Sequence, residues 1–146
     1  MTPIRIRPFT LEDRSPILEI LYRTRMFTSL EIEVARELID AWLYRPEQKD
    51  YILYTAEGEG KVTGYVCYGP TPATEGTFDL YWIAVDPLYQ RSGIGKELLL
   101  FTEKRIQECN GRLIIIETSS QEKYAPTRSF YERNGYTLEA RIKDFY

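Results

Sequence analysis

The residues with the clearest chemical meaning run from 91 to 96 and read Arg-Ser-Gly-Ile-Gly-Lys. They follow an apolar strand-like segment and open an amphipathic segment that is typical of a helix. The first N–H groups of a helix have no partner within it and lie at the positive end of its dipole, so this arrangement suits a phosphate or pyrophosphate. Gly93 and Gly95 let an anion approach the backbone closely. Arg91 and Lys96 add positive charge.

Two well-known phosphate motifs are absent from this stretch. The Gly-x-x-x-x-Gly-Lys-Ser/Thr pattern of a Walker loop does not occur. A dinucleotide fingerprint would need Gly or Ala where the chain has Leu98, and no first-strand βαβ unit precedes it. The sequence therefore predicts an anion-binding helix start of another kind.

The composition restricts the remaining chemistry. The 146 residues include no histidine, which excludes Ser-His-Asp and Cys-His nucleophiles and a His-ligated zinc. Cys67 and Cys109 form no CxxC pair, so we expect two packing residues and neither a disulfide framework nor a metal site. We predict that the protein holds no metal. Proton transfer must then use carboxylates, Lys, Tyr, Cys, the backbone or water.

The charge and hydropathy patterns bear on location and partners. No segment approaches the roughly 18 apolar residues that span a bilayer, and the first residues lack the apolar core of a signal peptide. The formal net charge is −3, and the Lys and Arg residues are scattered. We therefore expect a cytoplasmic protein that binds neither nucleic acid nor a membrane.

The apolar periodicity predicts the order β-α-α-β-β-β-α-β-α-β within a single domain over residues 1–146. The apolar run at 113–116 predicts a strand buried on both faces. We expect a mixed α/β sheet with helices on both faces. The predicted strands are 4–8, 51–56, 62–68, 78–85, 112–118 and 136–142, and the predicted helices begin near 10, 28, 93 and 126.

Two motifs, in this order, resemble those of the GNAT acetyltransferases. Residues 90–95 match the signature Gln/Arg-x-x-Gly-x-Gly/Ala, after an Ile-Ala-Val-Asp-Pro strand end. Residues 112–117 and 129–136 match the second motif. The resemblance covers essentially the whole chain. It implies the GNAT (acyl-CoA N-acyltransferase) fold with a mostly antiparallel mixed sheet, one N-acetyltransferase domain over 1–146, and acetyl-coenzyme A as co-substrate.

The resemblance also implies where coenzyme A binds. Its pantetheine arm would pair like an extra strand with the backbone of Ile83, Ala84 and Val85, entering at a splay between this strand and the strand at 113–118. Backbone N–H groups there would polarise the thioester carbonyl, for which one donor is typically worth about 3–4 kcal/mol. The pyrophosphate would lie on the loop formed by Arg91, Ser92, Gly93, Ile94, Gly95 and Lys96.

One position departs from the family pattern. Tyr124 stands where the family commonly has an Asn that contacts the pantetheine arm. The tyrosine could stack beside the arm, hydrogen-bond through its hydroxyl, or be a surface residue at a helix start. We include it among the expected cofactor-binding residues without carrying over the Asn contact.

Three residues are the catalytic candidates that the resemblance implies. Tyr131 matches the family tyrosine that protonates the departing thiolate, and a phenol can donate this proton near neutral pH. The amine must lose a proton, and Asp79 or Glu117 could accept it directly or through water. We rank Asp79 first because family members often place their base on its strand.

The acceptor is an amine whose identity the sequence leaves open. We expect transfer to the primary amine of a small molecule or amino acid by direct attack. The alternatives are a protein N-terminus or lysine as acceptor, or a non-catalytic sensor of acyl-coenzyme A. The family's acceptor site corresponds to residues 25–30 and to Tyr81 and Trp82. The acidic candidates favour a cationic amine, whereas Arg23, Arg25 or Arg128 could hold a carboxylate.

The end of the sheet is the last feature that the resemblance addresses. The family fold usually finishes with two strands after the last helix, whereas this chain supplies one, at 136–142. The final strand is therefore apparently missing, and an uncovered sheet edge favours pairing with another chain. We expect a homodimer.

Overall fold

The computed structural model describes residues 3–146. The chain divides into two compact units, the first ending at Ile116 and the second running from Glu117 to Tyr146. No helix among the described residues is long and apolar enough to cross a membrane. In order along the first unit, the elements are β1 (Arg5–Pro8), α1 (Arg14–Thr24), α2 (Ser29–Tyr44), β2 (Ile52–Gly58), β3 (Lys61–Pro70), β4 (Thr77–Val85), α3 (Ile94–Glu108) and β5 (Leu113–Ile116). The second unit contains α4 (Ala125–Arg133).

The first unit is built on a five-stranded sheet with the order β1-β2-β3-β4-β5. Successive strands from β1 to β4 are antiparallel, and β4 and β5 are parallel because α3 connects them as a crossover. The predicted mixed, mostly antiparallel sheet is confirmed.

Helices cover both faces of this sheet. Leu53 on β2 belongs to the core that α1 and α2 form with the sheet. The next residue, Tyr54, contacts Phe101 of α3, with ring centroids 4.7 Å apart. Because successive strand side chains point to opposite faces, α3 lies across the sheet from α1 and α2.

The second helix begins where its capping residue predicts, whereas α1 begins at Arg14, after the predicted start near 10. The Thr28 hydroxyl accepts a hydrogen bond from the Glu31 N–H at 3.1 Å, and the Glu31 carboxylate accepts one from the Thr28 N–H at 2.8 Å. This reciprocal pair satisfies two backbone donors at the start of α2. Thr10 begins a 3₁₀ turn at Leu11–Asp13 ahead of α1, and the Asp13 carboxylate accepts a hydrogen bond from the Thr10 N–H at 2.9 Å.

The predicted strand at 136–142 is wrong. These residues follow α4 without any regular secondary structure, and Leu138 and Ile142 are 81% and 66% exposed. Their alternation of apolar and polar residues is typical of a strand, but a strand also needs the hydrogen bonds of a neighbouring strand. The described part of the chain therefore has five strands where the sequence predicted six.

Two expectations about burial are also wrong. Leu113 and Ile115 on β5 are 49% and 40% exposed, whereas the apolar run predicted burial on both faces. Among the described residues this strand stands last in the sheet and pairs only with β4, so a continuous apolar run does not by itself identify a central strand. Cys67 is buried as expected, but Cys109 is exposed because it caps the C-terminus of α3.

Candidate active site

The loop at 91–96 forms an open helix start, as the glycine spacing predicts. Gly93 is the N-cap of α3 with φ of 86°, a left-handed conformation that side chains with a Cβ disfavour. No side chain in the described part of the chain caps this end, and the helical ladder starts with the bond from the Glu97 N–H to the Gly93 carbonyl at 3.0 Å. The N–H groups of Ile94, Gly95 and Lys96 precede that bond. Their direction suits an anion at the helix start.

The side chains of this loop differ in their burial. Ile94 is buried and fixes the helix start in the core, whereas Arg91, Ser92 and Lys96 are exposed. The backbone of Arg91 also adopts a left-handed conformation, with φ of 69°. The Ser92 hydroxyl donates to the Tyr89 carbonyl, which closes the turn before the glycine.

Asp86 holds the chain between β4 and this loop. Its backbone N–H donates to the Thr63 carbonyl at 2.8 Å, and its carboxylate accepts from the Leu88 N–H at 3.1 Å. The same buried carboxylate accepts from the Arg23 guanidinium at 2.8 Å. Because Arg23 lies in the last turn of α1, this ion pair joins that helix to the start of the anion-binding loop.

This ion pair is a feature that sequence reasoning missed. The partners lie 63 residues apart, and neither stands in a motif that predicts the other. The sequence indicated Asp86 only as part of the Ile-Ala-Val-Asp-Pro segment that ends the strand before the loop.

The strand that precedes the loop has an open backbone edge. The pairing of β4 with β5 runs only from Thr77 opposite Leu113 to Leu80 opposite Ile116. On its other side, β4 pairs with β3 up to Val85. Residues 81–85 therefore present backbone donors and acceptors toward the side where β5 has ended, as the expected splay requires.

An irregularity in β4 lies at the point where this open edge begins. Cys67 pairs with Trp82 and Tyr68 pairs with Leu80, which leaves Tyr81 as an extra residue in the ladder. A bulge of this kind redirects the backbone and is common beside binding sites. No sequence signal predicted it.

Aromatic side chains pack around the bulge. The Trp82 indole N–H donates to the Tyr65 hydroxyl, and the Phe27 and Trp82 ring centroids lie 6.1 Å apart. Burial raises the pKa of Tyr65 well above its usual range. Burial, reinforced by the charge of Asp79, raises the pKa of Tyr81 to about 12. Both phenols are therefore neutral at physiological pH.

The two candidate bases have different surroundings. Asp79 is half-buried on β4, where its carboxylate accepts a hydrogen bond from the Thr71 hydroxyl at 2.8 Å. This bond fixes one carboxylate oxygen and leaves a second one as a proton acceptor. Glu117 is exposed and is the first residue of the second unit.

Within the second unit, Tyr131 is buried on α4. Its ring contacts those of Phe130 and Tyr136, with centroids 5.2 and 5.8 Å away. Burial raises the pKa of Tyr131 to about 12, so that the phenol keeps its proton near neutral pH. Tyr124 ends a short 3₁₀ turn before α4, and the Lys123 ammonium lies 5.1 Å from its ring centroid.

A surface cavity of about 700 Å³ adjoins the end of α1. The loop between α1 and α2, which includes the segment 25–30, forms one wall, and the residues after β4 form another. The lining residues are Tyr22, Arg23, Arg25, Phe27, Ser29, Ile32, Asp86, Pro87 and Leu88.

Comparison with known proteins identifies the class to which this fold belongs. Residues 49–138 match the family model described as an acetyltransferase (GNAT) domain. A crystal structure of a GNAT-family protein from Desulfovibrio desulfuricans is 44% identical, with a TM-score of 0.94, and the match covers 99% of this chain and 91% of that chain. The chain therefore belongs to the GNAT acetyltransferase family and is an acyltransferase.

Two further relatives have more specific names. The S-(2-succino)cysteine N-acetyltransferase of Bacillus subtilis is 26% identical over 137 residues, which cover 90% of this chain and 83% of that protein. The PaiA N-acetyltransferase of Thermoplasma acidophilum, solved in complex with coenzyme A, is 19% identical with a TM-score of 0.75. That match covers 97% of this chain and 94% of the PaiA chain.

Proposed function

We propose that the protein transfers the acetyl group of acetyl-coenzyme A to the primary amine of a small molecule or amino acid by direct attack. The observation that carries this proposal is the uncapped start of α3, which one short connection joins to the strand β4 with its unpaired edge. Together they offer the backbone donors and positive helix end that a pyrophosphate needs, and a free ladder for an extended arm.

The residues of the first unit fit coenzyme A. The N–H groups at 94–96 and the exposed side chains of Arg91 and Lys96 would bind its pyrophosphate, and the backbone of Ile83, Ala84 and Val85 would pair with its pantetheine arm. The left-handed φ of 86° at Gly93 turns the chain into α3 without a side chain over the helix start. Bound acetyl-coenzyme A would supply an activated thioester, so the protein needs no nucleophile of its own.

In this proposal Tyr131 protonates the departing thiolate. Its burial, which keeps the phenol neutral, supports this role. Asp79 is our first candidate for the base that accepts the amine's proton, and its bond to Thr71 supports the choice because it holds the carboxylate in one orientation. Glu117 is the second candidate. Tyr124 remains a proposed contact of the pantetheine arm.

A small acceptor is supported by the relative from Bacillus subtilis, whose name specifies the amine of a modified cysteine. The cavity of about 700 Å³ beside α1 is within the range of small-molecule sites, which are typically about 300–1,000 Å³. We propose that the acceptor binds in this cavity.

The proposal extends to the whole chain and its setting. We treat residues 1–146 as one N-acetyltransferase domain, since the family match at 49–138 continues from the first unit into the second. Free thiols at Cys67 and Cys109 suit the reducing cytoplasm. Exposed Leu113 and Ile115 on the last strand of the sheet support a homodimer, which solution scattering would test.

Thiol release from acetyl-coenzyme A tests the proposed reaction. The purified protein is incubated with a panel of amino acids, small amines and peptides, and free coenzyme A is measured over time. We expect release that depends on a small amine. Release with peptides alone would indicate a protein acetyltransferase, and binding of acetyl-coenzyme A without release would indicate a sensor.

A further inference from the structure

Three arginines could hold a carboxylate, and the structure leaves one of them available. The Arg23 guanidinium is paired with the buried Asp86 carboxylate at 2.8 Å. Arg128 donates to the carbonyls of Ser119 and Gln121, at 2.7 and 2.9 Å. Within residues 3–146, the Arg25 side chain has no hydrogen bond and no ion pair. Arg25 is therefore the one of the three that is free to bind an anion.

The backbone at Arg25 is held in an unfavourable conformation. This residue ends α1 with φ of 58° and ψ of 18°, and its N–H donates to the Tyr22 carbonyl at 3.3 Å. Glycine is the usual residue at a left-handed helix end because it has no Cβ. The charge of an arginine suits the negative end of the helix dipole, but its backbone is less favourable here than that of glycine. What it adds is a guanidinium on the wall of the cavity.

The surroundings of Arg25 favour an anionic ligand with an apolar part. Phe27 and Ile32 line the same cavity, and Ser29 contributes a hydroxyl. The carboxylate of Asp86 also lines it, but the bond from Arg23 already neutralises that charge. One unpaired positive charge thus remains in a partly apolar cavity.

The cavity is also linked to the strand where the thioester would lie. Phe27 contacts the ring of Trp82, which follows the extra residue Tyr81 in β4. The cavity wall at Phe27 therefore contacts β4 within the segment that has the open edge.

We propose that Arg25 binds a carboxylate of the acceptor, so that the protein selects amines that also carry a carboxylate, as amino acids do. This inference rests on the proposed acetyl transfer and specifies its substrate class. A guanidinium binds a carboxylate through two parallel N–H donors, which fixes orientation as well as charge. The amine at the other end of the acceptor is then directed toward the thioester.

The test compares matched acceptors with matched variants. Each amino acid in the panel is paired with the amine that lacks its α-carboxylate, and kcat/KM is measured for both. The wild-type protein should prefer the amino acid, and Arg25→Gly should lower this preference roughly 10- to 100-fold, as expected for one charge-assisted pair. Arg25→Lys should restore part of it, since the charge remains but the two-donor geometry is lost.

The choice of glycine separates binding from folding. The backbone at position 25 is left-handed, a conformation that glycine adopts readily. We therefore expect the Arg25→Gly variant to unfold at a temperature no lower than that of the wild type. Arg45→Gly is the control, since it removes the same charge at the end of α2, outside the cavity. It should leave the preference for amino acids unchanged.

The outcomes distinguish this inference from the proposed function. Two results would overturn the role of Arg25 and leave the proposed function intact. In the first, amines are acetylated equally well with and without a carboxylate. In the second, Arg25→Gly changes only the KM for acetyl-coenzyme A. If no amine is acetylated, the proposed function fails, and calorimetric titration of the coenzyme A-loaded protein with succinate decides the inference. Binding that Arg25→Gly abolishes supports the carboxylate site, and no binding, or binding that this variant retains, overturns it.

Discussion

Burial keeps Tyr131 in the protonated form that a proton donor must have before the reaction. An exposed tyrosine titrates near pH 10, but burial raises the pKa of Tyr131 to about 12. The phenol therefore stays protonated over the whole range in which amines become neutral and nucleophilic. A thiol ordinarily titrates near pH 8.5 and is a stronger acid than this phenol, so the proton transfer is uphill and must accompany the breaking of the carbon–sulfur bond.

We predict that Tyr131→Phe lowers kcat by about 100-fold and leaves the KM for acetyl-coenzyme A nearly unchanged. Steady-state kinetics at saturating acceptor would measure both quantities. Tyr44→Phe, which removes the hydroxyl of an exposed tyrosine at the end of α2, is the control and should have no effect. A Tyr131→Phe variant with full turnover would remove the tyrosine from the mechanism.

The raised pKa of Tyr131 also predicts the alkaline side of the pH–rate profile. Loss of the acidic proton would lower kcat as the pH passes the pKa, which is about 12. We therefore expect no decline in wild-type kcat between pH 7 and about 10. A decline in this interval that disappears in Tyr131→Phe would show that the phenol titrates like an exposed one.

At the scale of the elements, the position of the anion-binding loop depends on Asp86. Its carboxylate caps the turn after β4 and is bound by Arg23 of α1. Removing either partner breaks the link between α1 and the connection that leads into α3. The substitution Arg23→Ala also leaves the buried carboxylate without its cation, which is costly in a low-dielectric setting.

We predict that Asp86→Ala and Arg23→Ala each raise the KM for acetyl-coenzyme A by about 10-fold, the equivalent of roughly 1.4 kcal/mol. The KM of the double variant should be only slightly higher than that of Asp86→Ala, because both single substitutions remove the same interaction between Arg23 and Asp86. Arg5→Ala, which breaks a 3.6 Å pair with Glu57 on the exposed side of β1, is the control. Fully additive effects would show that the two residues act independently.

Local patterns predicted the elements well, and the failures have a common physical cause. The capping box at Thr28 and the glycine at the start of α3 act within one turn of chain, and both were found at the predicted positions. Pairing between strands is not a local property. The segment at 136–142 has a strand-like alternation but no partner strand, and the apolar residues of β5 lie in the last strand of the sheet.

At the scale of the molecule, a buried network joins β1, the entry to α1 and the centre of the sheet. The Asp13 carboxylate accepts from Arg7 at 2.7 and 2.9 Å, from the Thr10 N–H at 2.9 Å and from the Thr55 hydroxyl at 2.9 Å. Burial alone would raise the pKa of Asp13, but these bonds outweigh it and hold the pKa below the usual 3.8.

We predict that Asp13→Ala lowers the free energy of unfolding by about 2–3 kcal/mol, because Arg7 and Thr55 lose their acceptor. The depressed pKa also gives a direction for the pH dependence. The contribution of the ionised Asp13 carboxylate to the free energy of unfolding is fully present above the unfolded-state pKa near 4. This contribution is lost as the pH falls through the folded-state pKa. Denaturant titrations from pH 7 to 2 should show that the free energy of unfolding falls less steeply with decreasing pH in the variant than in the wild type. Equal slopes would contradict this assignment.

Much of the candidate site also depends on distant parts of the chain. The anion-binding loop could be predicted because six consecutive residues form it. Three other features could not be predicted, because each depends on which residues folding brings together. They are the pairing of Arg23 with Asp86, the bulge at Tyr81 and the availability of Arg25. The sequence offered three arginines as equal candidates, and only tertiary contacts distinguish them.

A single turnover with isotopically labelled acetyl-coenzyme A tests the proposed reaction most directly. The protein, in excess over cofactor that carries ¹³C in the acetyl group, is mixed with an amino acid that the thiol-release panel has identified. Intact-protein and small-molecule mass spectrometry then follow the label. We predict that all of it reaches the acceptor amine and that none is found on the protein at any time. Label on a protein side chain would contradict direct attack, and label that stays on coenzyme A would contradict acetyl transfer itself.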